Sequence, residues 1–194
     1  ALGHSALLNN TTASNNTAVG YQAAYSNTSD NISAFGWKAL YGNTSGEYNI
    51  ALGNQALLSN TTGTKNTASG YQALVSNTTA SSNTAVGYQS AYSTTTAGNN
   101  VAFGDTALRT NTTGGNAVAI GARALYSMTT ANGNTAVGMS AAYYTTTGQY
   151  NTALGRSALQ SNTTASENVA VGYRAMLTNT TGADNTAVGP DSMY

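Results

Sequence analysis

Small and apolar residues alternate with polar ones in a pattern that repeats along the whole chain. A typical unit is N-T-A-V-G-Y-Q-A-L-Y-S-N-T-T-G-x-x, and residues 83–88 are a close copy of its first half. The stretch T-A-V-G alternates residue types as a short strand does, and N-T-T-G or N-T-T-A is typical of a turn. The pattern therefore predicts one strand and one turn in every unit.

A recurring glycine gives the length of the unit. With this glycine numbered as position 5, ten of the eleven intervals between successive glycines are 17 residues, and only the interval from Gly20 to Gly36 is 16. We place that deletion in the turn near Asp30. Glycine at a fixed place predicts a bend or a backbone approach too close for a Cβ. The repeat glycines are Gly3, Gly20, Gly36, Gly53, Gly70, Gly87, Gly104, Gly121, Gly138, Gly155, Gly172 and Gly189.

The 17-residue period predicts the fold class. It is too short for a pair of helices, and Gly, Thr and Asn are poor helix formers. We predict an all-β, parallel β-solenoid (β-roll) of about twelve 17-residue coils, forming a single repeat domain over residues 1–194. Stacked coils would make a rod roughly 55–60 Å long. Because Ala1 and Tyr194 both lie inside a unit, we expect the sequence to be an excerpt of a longer chain.

The charged residues suggest which positions are packed. All twelve occur at positions 6, 7, 10 or 15 to 17, so we expect positions 1 to 5, 8, 9 and 11 to 14 to be packed. Position 3 is always Ala, and position 4 is mostly Val, Leu, Ile or Phe. Neighbouring side chains of a strand point to opposite faces, so Ala would line the narrow interior and position 4 would need cover from outside. A second chain is the simplest cover and predicts an oligomer.

Asparagine begins nine of the eleven units that include position 1, as at Asn49 and Asn66. Stacked in register, these amides would form a ladder in which each satisfies its neighbours. Asparagine at position 12 forms N-x-[ST] sequons, which we interpret as by-products of an Asn- and Thr-rich repeat. The sequon asparagines at position 12 are Asn10, Asn27, Asn43, Asn60, Asn77, Asn111, Asn162 and Asn179.

Composition argues against several functions. Only 6% of residues are charged and the net charge is zero, so a phosphate-neutralising patch for nucleic acid is missing. No apolar run reaches the roughly 18 residues of a membrane span, which predicts no membrane insertion. There are no cysteines. The scattered carboxylates form no recurring acid and base pair, and phosphate loops are absent, so we predict no enzyme activity, no catalytic residues, no cofactor and no metal site.

The stretch A-V-G-Y-Q-A, with its variants A-F-G-W-K-A at residues 34–39 and A-I-G-A-R-A at residues 119–124, resembles the head repeats of trimeric autotransporter (YadA-like) adhesins. It is also similar to repeats of phage tail fibre proteins that end in a chaperone of the endosialidase type. The resemblance covers every unit. It implies a left-handed parallel β-roll with three chains side by side or intertwined, exposed on a cell or virion surface and used for attachment.

Pattern and resemblance together predict an extracellular, structural and adhesive fibre segment in the form of a homotrimeric rod. Such rods could also join end to end into a filament. Multivalent contacts of the rod would bind a cell-surface glycan or receptor. Aromatic side chains at position 6 are the candidates for surface contact, because Tyr and Trp stack on sugar rings. The alternative is an ice-binding solenoid that uses stacked Thr rows. The candidate contact residues are Tyr21, Trp37, Tyr71, Tyr88 and Tyr173.

Overall fold

The computed structural model describes residues 1–193 and confirms an all-β, parallel β-solenoid with 17-residue spacing. Eleven strands stack in chain order into one parallel sheet of about ten turns, and Leu2 adds a parallel bridge to Val19. Within the described residues, no helix has the length and apolar character needed to span a membrane. The strands are β1 Thr17–Val19, β2 Ser33–Phe35, β3 Ile50–Leu52, β4 Thr67–Ser69, β5 Thr84–Val86, β6 Val101–Phe103, β7 Val118–Ile120, β8 Thr135–Val137, β9 Thr152–Leu154, β10 Val169–Val171 and β11 Thr186–Val188.

Each strand occupies positions 2 to 4 of the repeat and pairs in register with the next. The central alanines face one another across the ladder, as Ala85 does with Ala102. The coil with the deletion keeps this register, because Ala18 still pairs with Ala34. The missing residue falls between Thr28 and Ser29, as predicted, so a residue was lost from the turn without disturbing the sheet.

The interior is narrow and filled by small side chains. Alanine at positions 3 and 8 is fully buried in most coils, together with a larger residue at position 9, such as Leu57 or Leu108. The side chains at position 4 point the other way, outward, as alternation along a strand requires. The predicted opposition of positions 3 and 4 is therefore confirmed.

Two predictions drawn from the charges were wrong. Positions 2, 11, 13 and 14 lack charges but are partly exposed, as Val101, Tyr144 and Thr62 illustrate. Position 4 is also exposed on the single chain, as at Phe103, but its predicted cover is a second chain. Position 15 was grouped with the outward positions but is buried, as at Ala80. The second error has a simple cause: Asp30, counted at position 15, stands structurally at position 16 because the deletion precedes it. The first shows that a lack of charge does not report burial inside a single chain.

Outside the strands, each coil contains residues in the left-handed backbone conformation. These residues were not predicted from the sequence. Residues at positions 7, 9 and 17 have positive φ, with values of 48° at Gln89 and 49° at Ala91. These two amides donate to carbonyls of opposite neighbours: Gln89 to Tyr71 in the preceding coil, and Ala91 to Ala107 in the following one. Hydrogen bonds therefore join the coils outside the sheet as well as within it.

The repeat glycine has the role predicted for it. Gly87 has a φ of 131°, a conformation that side chains disfavour. A Cβ at this position would also collide with the carbonyl group of Gly104 in the next coil. Both backbone conformation and close stacking therefore require glycine.

The predicted ladder at position 1 exists, but its hydrogen bonds run mostly to the backbone. Asn49 Oδ1 accepts a hydrogen bond from the backbone N–H of Asn66 at 3.0 Å, and Asn49 Nδ2 donates to the backbone carbonyl of Gly63 at 2.7 Å. Amide-to-amide bonds of the predicted kind occur only locally, as between Asn151 Nδ2 and Asn134 Oδ1 at 3.1 Å. Each buried asparagine thus joins its own coil to the next.

A second asparagine ladder lies at position 12. Asn60 Nδ2 donates to Asn43 Oδ1 at 2.7 Å and to the Gly63 carbonyl at 3.0 Å, and Asn77 continues the row to Asn60. These side chains are fully buried. The sequon asparagines of the inner coils are therefore structural groups of the core, which agrees with their interpretation as by-products of the repeat.

Candidate functional site

The outer side of the sheet, formed by positions 2 and 4 and here called the sheet face, is the first candidate surface. Its side chains stand in register, with Phe103 beside Ile120 on adjacent strands. Phe103 is 55% exposed although it is a large apolar side chain. An exposed apolar stripe of this kind is typical of an interaction surface. The exposed large apolar residues of the sheet face are Leu2, Phe35, Ile50, Leu52, Val101, Phe103, Ile120, Leu154 and Val188.

The five predicted contact aromatics at position 6 are all exposed, but they do not form one site. Tyr71 stacks on Tyr88 with ring centroids 5.5 Å apart, and Tyr21 stacks on His4 at 5.4 Å. Trp37 has the ammonium of Lys38 4.8 Å from its ring centroid. Polar or small residues interrupt the row between these groups. Tyr173 lies within 6 Å of two guanidinium groups, those of Arg156 and Arg174.

A second aromatic row at position 10 is more continuous than the first. Tyr126 stacks on Tyr143 with centroids 5.0 Å apart and ring planes within 2°. The guanidinium of Arg109 lies between the rings of Tyr92 and Tyr126, at 5.3 and 5.8 Å. Where two rings stack from coil to coil, each covers one face of the other. Between stacked rings, only the ring edges and hydroxyls are open to a sugar.

Glutamines at position 7 form a row of hydrogen bonds from coil to coil, which was not predicted from the sequence. Gln72 Nε2 donates to Gln55 Oε1 at 2.7 Å, and Gln89 Nε2 donates to Gln72 Oε1 at 2.8 Å. Arg109 Nε then donates to Gln89 Oε1 at 3.3 Å. The recurrence of Gln after the position 6 aromatic was the available signal. Positions 6, 7 and 10 together form one surface, here called the aromatic face.

The two threonines of the N-T-T turn have different environments. Thr78 Oγ1, at position 13, donates to the carbonyl of Thr95 in the next coil at 3.1 Å, and the same bond recurs along the row. Thr79, at position 14, is exposed. One threonine of each pair therefore belongs to a ladder between coils, while the other forms an outward row.

The described residues contain no cavity and no cluster of His, Asp or Glu suited to a metal ion. No family model, no curated protein and no solved structure matches this chain.

Proposed function

We propose that this chain is a segment of an extracellular fibre, in which several copies associate into a stiff rod that attaches to a cell surface or belongs to a virion. The observation that carries the proposal is the unbroken ladder of eleven in-register strands beneath an exposed apolar sheet face. Repetition sets the length of such a rod without changing its cross-section. This structural and adhesive role requires no catalytic reaction.

The sheet face supports association between copies. Its large side chains recur from Phe35 near one end to Leu154 near the other, so a contact along this face would run along most of the rod. Burial of apolar side chains is the dominant favourable term in most protein association. The trimer is our preferred assembly because of the resemblance to trimeric adhesins and tail fibres.

Attachment would use the outward positions that vary between coils. The aromatic face offers tyrosine hydroxyls, glutamine amides and a few cations, which suit hydrogen bonds to a glycan or a protein receptor. A single rod repeats such groups many times, and multivalency can turn weak contacts into stable attachment.

Binding of the purified rod to a glycan array and to intact bacterial and animal cells tests attachment. We expect binding that weakens when Tyr71 and Tyr88 are both changed to Ser, while the matched change of Thr62 and Thr79 to Ser leaves it unaltered. Equal binding by the two double variants, or no binding to any surface, would argue against the aromatic face as the contact.

Ice binding remains the second candidate, favoured by the exposed threonine row at position 14. Hydroxyl and methyl groups at a regular spacing of about 4.8 Å could order a water layer. Thermal hysteresis that is lost on changing Thr79 and Thr96 to Tyr would support it. An adhesive fibre predicts no thermal hysteresis.

A further inference from the structure

Positive and negative charges lie on opposite sides of the sheet. Residues after the strands, on the aromatic face, include five cations and two carboxylates. Residues before the strands, at positions 16 and 17, include four carboxylates and one cation, and are here called the acidic edge. The net charges are +3 and −3, so the neutral chain is strongly asymmetric in cross-section. The aromatic face carries Lys38, Asp105, Arg109, Arg123, Arg156, Arg174 and Asp191; the acidic edge carries Asp30, Glu47, Lys65, Glu167 and Asp184.

The parallel sheet fixes this separation. In a parallel sheet the N-terminal ends of all strands lie on one side and the C-terminal ends on the opposite side. The residues before and after the strands therefore form two separate rows along the rod. Register stacks equivalent positions of successive coils directly along the rod axis, as the pairing of Ala153 with Ala170 shows. A second chain lying parallel and displaced along the strand direction would therefore bring its acidic edge beside the aromatic face of the first.

Opposite charges also occur at matching levels. The coil of residues 32–48 has Lys38 at position 7 of the aromatic face and Glu47 at position 16 of the acidic edge. The coil of residues 151–167 has Arg156 at position 6 and Glu167 at position 17. A third coil, residues 168–184, repeats this with Arg174 and Asp184.

Among the described residues, Lys38 forms no ion pair with Glu47, and Arg156 forms none with Glu167. Between residues 1 and 193 one ion pair is formed, between Arg174 Nε and Asp191 Oδ1 at 3.7 Å. Lys38 and Arg156 instead lie over aromatic rings, at 4.8 Å from the ring centroid of Trp37 and 5.9 Å from that of Tyr173. Arg156 is exposed and Lys38 is half-buried.

We infer that a second copy of this chain binds the aromatic face through its acidic edge, with the two rods parallel and in register. Antiparallel rods related by a two-fold axis would oppose like faces and bring five cations against five. The parallel contact joins unlike faces, so it can be repeated by further chains in a side-by-side array, in which the end chain keeps its aromatic face open for attachment. It uses none of the residues of the sheet face, and it stands whether or not the sheet face also joins copies.

Charge reversal tests this inference. We expect the wild-type mass in solution to rise with concentration at about 20 mM salt and to fall back at about 0.5 M, because salt screens exposed charges. Reversal of one row, either by Lys38→Glu with Arg156→Glu or by Glu47→Lys with Glu167→Lys, should abolish the rise. An equimolar mixture of the two double variants should restore it, since each supplies the row that the other lacks.

Association through the charged rows can be separated from association through the sheet face. The same salt and charge-reversal measurements are repeated with Phe103→Asp and Ile120→Asp in every chain, which disrupts the sheet-face contact. A mass independent of salt, or a mixture that fails to associate while the wild type does, would overturn the inference.

Cysteine pairs test direction and register in a chain that has no native cysteine. Chains with Lys38→Cys and chains with Glu47→Cys should form a disulfide-linked dimer when mixed and oxidised, since a disulfide needs Cα atoms within about 7 Å. Lys38→Cys mixed with Glu167→Cys, seven coils away, is the matched control and should not. Equal linking in both mixtures, or efficient linking of Lys38→Cys with itself, would overturn the parallel, in-register contact.

Discussion

The side-chain oxygen of Asn77 has no hydrogen-bond partner among the described residues, because Thr94 occupies the next place in the position 12 ladder. In the preceding coils the side-chain amide of the next asparagine donates to this oxygen, as Asn77 Nδ2 donates to Asn60 Oδ1 at 2.7 Å. The Thr94 hydroxyl is also buried and unpaired. A buried polar atom without a partner costs stability, so the ladder has a weak point in the middle of the rod.

Thr94→Asn should repair this point. The new amide can donate to Asn77 Oδ1 and to the carbonyl of Ala97, as the other ladder asparagines do in their own coils. We expect stabilisation of about 1 kcal/mol, measured from the urea midpoint of unfolding. Thr96→Asn, in the exposed row two residues later, is the control and should change little. The ladder account is wrong if the two variants unfold at the same urea concentration.

Gly87→Ala should destabilise the rod strongly. A methyl group there meets the carbonyl of Gly104, and the φ of 131° is unfavourable for alanine. We expect a loss of more than about 2 kcal/mol, measured by thermal or urea unfolding. Gly42→Ala is the comparison, because other coils carry serine at that place, and it should cost clearly less. Similar losses would mean that the repeat glycine is not needed for close stacking.

The strands, the coil and the inward alanines could be predicted from the sequence because each of these residue patterns has a single physical cause. Alanine occurs at position 3 because the interior is too narrow for a larger side chain. Glycine occurs at position 5 because closely stacked coils leave no room for a Cβ. The position 12 ladder was missed because Asn suits a turn and a buried amide row equally well. The left-handed backbone at residues such as Gln89 and Leu74 was missed because nothing about Gln or Leu signals positive φ.

The candidate surfaces were predicted in part. Exposure of the position 6 aromatics agrees with expectation, but their stacking depends on the coil spacing and on which residues occupy neighbouring coils. The opposition of charge between aromatic face and acidic edge was present in the sequence. It became visible only when the parallel sheet assigned residues before and after each strand to different sides.

Deletion of residues 66–82 should leave a folded and shorter rod. This removes one whole coil and joins position 17 of one unit to position 1 of the next, so every remaining contact type is kept. We expect an unchanged circular dichroism spectrum and a maximum dimension shorter by about 4.8 Å in X-ray scattering. Deletion of residues 66–73 removes half a coil and should disrupt the fold. Unfolding of the whole-coil variant would contradict the independence of the repeats.

Aspartate on the sheet face should prevent association through it. Phe103 and Ile120 are neighbours at the middle of the stripe, and Phe103→Asp with Ile120→Asp would place two charges in a contact that must be dry. We expect the mass in solution at high salt to fall to that of one chain. Thr113→Asp with Thr130→Asp, on the exposed row of another side, should leave it unchanged.

The central claim is that copies of this chain share their sheet faces in a multi-chain rod, and the molar mass of the unmodified protein tests it most directly. Light scattering behind a sizing column at about 0.5 M salt suppresses charge contacts and leaves apolar ones. The account predicts three times the chain mass of 19.6 kDa, at every concentration tested. A stable species of 19.6 kDa would contradict it, because the apolar stripe would then need no partner.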